Sequence, residues 1–110
     1  MKLPNADKAI IDSKKIKEYC LNPEHPRGKH KAKIFQSSLD FTSEDTEDLI
    51  YEITKNLPEL ECRQGQVDEY GQRYMVDIEI ERNGFRAIIR TGWIIKRNET
   101  QPRLTTCFVK

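Results

Sequence analysis

No stretch of this sequence stays apolar for anything near the roughly 18 residues that a membrane-spanning helix requires, so no membrane association is expected. Cysteine is sparse. Cys20, Cys62 and Cys107 stand far apart with no CxxC pair, which argues against a disulfide framework and against a zinc site, and they read as reduced thiols. Histidine is sparser still, with only His25 and His30. A glycine-rich phosphate loop, a serine-hydrolase elbow and a Cys/His nucleophile motif are all missing. No His, Asp and Glu fall at ligand spacing, so neither a metal nor another cofactor is expected. The opening MKLPNADKAIIDSKK carries a proline and early carboxylates where a secretory signal has an apolar run, which favours a cytoplasmic location. Repeats and low-complexity tracts are absent.

What is present fits one domain spanning residues 1–110, since division would leave each half too small to hold a core. Charged residues make up 34% of the chain yet the net charge is only +1, which argues against a whole-molecule affinity for polyanions. The charge is unevenly spread. Residues 1–36 carry nine Lys/Arg against four Asp/Glu, residues 37–62 carry one against eight, and residues 63–110 carry nine against six. Any polyanion has to be met locally, on a basic segment.

Asp12 and Ser13 are N-cap residues for a helix KKIKEYCL, with Ile16, Tyr19 and Cys20 at helical spacing and Pro23 as its stop. From His25 the chain turns and then reads as a second helix with Ala32, Phe35 and Leu39 on one face. Thr42 and Ser43 can cap a third, acidic in its first turns, with Leu49, Ile50, Ile53 and Leu57 as its stripe and Pro58 at its end. After residue 61 the period becomes two. Tyr74, Val76, Ile78 and Ile80 alternate with polar residues up to Asn83-Gly84, the strongest short hairpin signal. A two-residue turn there sets Glu81 opposite Arg86, Ile80 opposite Ala87, Ile78 opposite Ile89, Asp77 opposite Arg90, Val76 opposite Thr91 and Tyr74 opposite Trp93. The apolar face belongs under the helices; Arg73, Asp77, Glu79, Glu81, Arg86 and Arg90 belong on the other. Arg103–Val109 reads as a last strand and Glu61–Glu69 as a weaker first one. The expectation is an α+β fold, N-terminal helices packed on one face of an antiparallel meander of about four strands.

Leu3-Pro4-Asn5-Ala6, Tyr19-Cys20-Leu21-Asn22-Pro23-Glu24-His25-Pro26, Gly28, Lys31-Ala32, Phe35, Tyr70-Gly71-Gln72-Arg73-Tyr74, Trp93 and Pro102-Arg103-Leu104-Thr105-Thr106 together resemble a bacterial family of unknown-function domains. These occur as small free-standing proteins and as C-terminal domains of polymorphic, contact-dependent toxins. Asp40 stands where that pattern has glycine, and aspartate tolerates the left-handed geometry of a helix end. The arrangement also looks like the barnase, EndoU, colicin and RelE type of ribonuclease. The resemblance implies a metal-independent endoribonuclease-like toxin domain that cleaves RNA, without DNA specificity, held in check by a small acidic neutralising (antitoxin or immunity) protein. The rival reading is a catalytically inert module of such a pair, binding protein or nucleic acid.

Metal-free RNA cleavage needs a proton acceptor, a proton donor and cations about the phosphate. His25, Lys31 and Thr105, with Thr106 as the alternative hydroxyl donor, are the candidate catalytic groups, and Tyr70, Arg73, Arg90 and Arg103 the candidate substrate-binding ones. Each has a plainer use. His25 before a proline is also a turn and capping residue, Lys31 a solvated lysine, and Arg90 the partner of Asp77. Tyr74 and Trp93 are assigned to packing.

Overall fold

The computed structural model describes residues 1–110. Asp12 accepts the Lys14 amide and opens a single α-helical turn, α1 (Ser13–Lys15). The spacing of Ile16, Tyr19 and Cys20 predicts that the α-helix continues, but Ile16–Cys20 widens into a π turn, in which the Leu21 amide donates to the Ile16 carbonyl at 2.9 Å. The extra residue lets Ile16, Cys20 and Leu21 all face the core while Tyr19 stays half-buried, which a 3.6-residue turn does not permit.

Helix α2 (Lys29–Leu39) buries Ala32, Phe35 and Leu39. It ends at Asp40, whose φ of 57° is left-handed; the Asp40 amide returns to the Gln36 carbonyl and that of Phe41 to Phe35. Thr42 and Asp45 then form a reciprocal capping box over one 3-10 turn leading into α3 (Thr46–Asn56), which buries Leu49 and Ile53.

Strands β1 (Arg63–Asp68), β2 (Gly71–Arg82), β3 (Phe85–Lys96) and β4 (Arg103–Val109) form an antiparallel sheet in the order β1-β2-β3-β4, so the fold is α+β. All six cross-strand pairs expected from Asn83-Gly84 are present. Both turn residues have positive φ, 50° and 83°, the mirror-image turn that matches strand twist. Tyr74, Val76, Ile78, Ile80, Ile89, Trp93, Leu104 and Cys107 join the helices in one core of 20 buried residues. Buried Thr91 and Trp93 satisfy each other: Trp93 Nε1 donates to Thr91 Oγ1, which donates to the Val76 carbonyl, both at 2.8 Å.

Arg82 ties the hairpin tip to the helical layer. It lies over the Phe41 ring at 4.3 Å and pairs with Asp45 at 3.0 Å and Asp48 at 3.1 Å. The face away from the helices is open. There a bulge in β4 breaks strict alternation: Gly92 pairs with Thr106 and Trp93 with Leu104, so Thr105 is the inserted residue. The insertion lets Leu104 and Cys107, three apart, both point into the core.

Candidate functional site

The β4 bulge shapes the open face. Gly92 lies beneath it, and a Cβ at that position would stand 2.9 Å from Thr106 Cγ2 and 3.0 Å from Thr105 Oγ1. With no side chain there, the sheet has a basin of about 420 Å³, lined by Arg73 and Met75 of β2, Arg90 of β3, and Thr105, Thr106 and Phe108 of β4. That volume falls within the roughly 300–1,000 Å³ of small-ligand clefts. Lys31, from the first turn of α2, reaches the sheet edge and places its ammonium 4.6 Å from the centre of the Phe108 ring, putting a cation on the basin's rim.

Both basin arginines are anchored through their inner nitrogens. Arg90 Nε and Nη2 donate to the two oxygens of Asp77 at 2.9 and 3.0 Å, and Nη1 has no partner in the protein. Arg73 Nε donates to Asp68 at 3.3 Å, leaving both of its Nη groups unengaged. Asp68 is itself fixed by the amides of Tyr70 and Gly71. A guanidinium held this way keeps its outer donors for an anion at little further loss of side-chain freedom.

Asp77 also accepts from Lys110 at 3.2 Å. The Arg90 hydrogen bond, opposed by partial burial and joined by Lys110, holds its carboxyl down at about 2. Such a group stays ionised and is a poor proton acceptor near neutrality. Next to the basin, across Met75 and Arg90, a smaller depression of about 150 Å³ is lined by Glu61, Cys62, Arg63 and Asp77. No group of three or more His, Cys, Asp or Glu gathers where a metal ion would sit, and no helix is long and apolar enough to cross a membrane.

Of the residues singled out by sequence, Arg73, Arg90 and Thr105 meet in the basin and Lys31 stands on its rim. Arg103 lies outside, in a two-point pair with Glu99 at 2.9 and 3.1 Å. Tyr70 lies outside too, exposed in the turn between β1 and β2. His25 belongs to the turn before α2. Its Nδ1 accepts the amides of Arg27 and Gly28 at 3.0 and 3.1 Å, and its ring meets Tyr19 edge-on at 4.6 Å. Nδ1 is thereby occupied as an acceptor in holding the turn. Thr106, the other hydroxyl offered by the sequence, lies in the basin beside Thr105, and Met75, Gly92 and Phe108, which complete it, were not anticipated. Their only trace in the sequence is the three-residue spacing of Leu104 and Cys107, which signals a bulge in an otherwise alternating strand.

The chain belongs to the family described as Domain of unknown function (DUF6883), whose model matches residues 2–110. No curated protein and no solved structure matches it.

Proposed function

We propose that this member of the family is a metal-independent endoribonuclease-like domain of the toxin type, with its RNA substrate lying on the open face of the sheet. The observation that carries the reading is the basin over Gly92, where two anchored arginines and two hydroxyls converge and the Lys31 ammonium stands on the rim. The 2′-oxygen attacks the adjacent phosphorus and the bond to the 5′-oxygen breaks. Arg73, Arg90 and the Thr105 hydroxyl stabilise the charge that builds on the phosphoryl oxygens. The leaving oxygen takes a proton from Lys31, and the 2′-hydroxyl proton passes to water. DNA, without a 2′-hydroxyl, is not a substrate. The RNA substrate places the activity in the cytoplasm, and a small acidic protein lying over the basin is the fitting restraint on it. His25 supports α2 in this reading rather than moving protons.

A binding module without turnover is the second reading. Two observations favour it: both basin arginines already hold carboxylates, and the Asp77 carboxylate is a poor base. Incubating the protein with total RNA in EDTA separates the two. The proposal expects cleavage by wild type and by folded His25→Ala, and loss of cleavage in Lys31→Ala. Intact RNA with salt-sensitive binding would establish the module instead.

A further inference from the structure

The free edge of β1 is complementary to a second copy of itself. Met1 accepts the Cys62 amide at 2.7 Å and Lys2 bridges Glu61, so the N-terminal residues occupy this edge up to residue 62. The turn at Glu69 and Tyr70 ends it on the other side, leaving Arg63–Asp68 unpaired outward and exposed along nearly its whole length. Of the usual protection this edge has only the bulge between Gln64 and Val67: Gln64-Gly65-Gln66-Val67 has no charge and no proline, and Val67 is 66% exposed.

Backbone direction fixes which residues can pair. The closing pair of the β2–β3 hairpin, Arg82 and Phe85, turns the even-numbered groups of β2 toward β3 and the odd-numbered ones toward β1. Gln64 and Val67 stand opposite Tyr74 and Gln72, so their own backbone groups face outward. The bulge between them is closed on the inner side by Gln72 Nε2, which donates to the Gly65 carbonyl at 2.8 Å.

We propose that the protein associates as a two-fold dimer through this edge, β1 against β1 antiparallel. In the register that follows, Gln64 of each copy exchanges hydrogen bonds with Val67 of the other, Gly65 faces Gln66, and Arg63 faces Asp68. The ends match in charge. Arg63 has no carboxylate partner within its own chain, and it shares the open face with Asp68, since the two stand opposite Met75 and Gly71. A parallel arrangement, or a shift by one residue, would lose both the outward hydrogen bonds and the charge match. The two-fold axis runs through the plane of the joined sheet, so both basins lie on the same side of eight strands. The inference does not depend on what the basin binds.

Sedimentation over a range of concentrations, with amide exchange on the same samples, tests it. The expected result is a species of twice the monomer mass that grows with concentration, with the Gln64 and Val67 amides becoming protected as it forms. Arg63→Glu, which sets like charges opposite each other, and Val67→Lys should each weaken association about tenfold or more. Both side chains are exposed, so the monomer keeps its fold, which circular dichroism verifies. A monomer at every concentration would overturn the proposal, as would a dimer that neither variant weakens or that leaves those two amides unprotected.

Discussion

The Thr105 hydroxyl stands 3.0 Å from the point that a side-chain carbon at Gly92 would occupy, so the basin exists because position 92 has none. Gly92→Ala should fill its floor and press on Thr105 and Thr106. The expected outcome is a fall in RNA affinity of about tenfold or more, with a stability loss of about 1–2 kcal/mol from overpacking. Titration of a labelled RNA alongside a thermal melt checks both.

Asp77 supplies a pH signature. Its carboxyl takes up a proton near pH 2 in the folded chain and near 4 in an unfolded one, so the unfolded state binds the proton first as pH falls. The stabilisation is therefore complete above about pH 5 and is lost between about 4 and 2. Allowing for solvent screening of a partly exposed pair, it amounts to about 1 kcal/mol. Asp77→Asn should lose that increment at neutral pH and flatten this part of the acid-denaturation curve. Cleavage should fall only severalfold, because Arg90 is loosened rather than removed; a collapse of cleavage with stability intact would make Asp77 the base.

At the start of α2 the account assigns His25 and Gly28 to folding. His25→Ala leaves two amides without their acceptor and should cost about 1 kcal/mol, as lost caps do. Gly28→Ala should cost more, since a Cβ there would stand 2.6 Å from the Tyr19 carbonyl oxygen, a backbone atom that cannot swing away. Denaturant melts rank the two. Turnover per folded molecule should not change in His25→Ala.

The sheet was more legible in the sequence than the site, for physical reasons. Asn83-Gly84 fixes a two-residue turn, and the period of two carries the register outward, so Asp77 opposite Arg90 followed directly. Caps were equally local, as Asp12 and Thr42 show. What escaped were insertions that shift periodicity without a glycine or proline to mark them: the π turn at Ile16–Cys20 and the β4 bulge at Thr105. The second of these makes the basin, and with it the roles of Phe108 and Gly92. Arg103 looked available only because its partner Glu99 lies in the polar connection before β4.

Arg82 provides a control remote from the basin. Arg82→Met keeps the contact with Phe41 but leaves Asp45 and Asp48 without their cation. Stability should drop by about 1–2 kcal/mol while RNA cleavage is unaffected.

The central claim is that the basin cleaves RNA without metal, and single-turnover cleavage of a labelled RNA oligonucleotide in EDTA by wild type and Arg90→Gln tests it most directly. The account predicts cleavage by wild type, a rate lower by about 100-fold or more in Arg90→Gln, and no reaction on the DNA of the same sequence. Intact RNA with wild type, or equal rates for the two proteins, would contradict it.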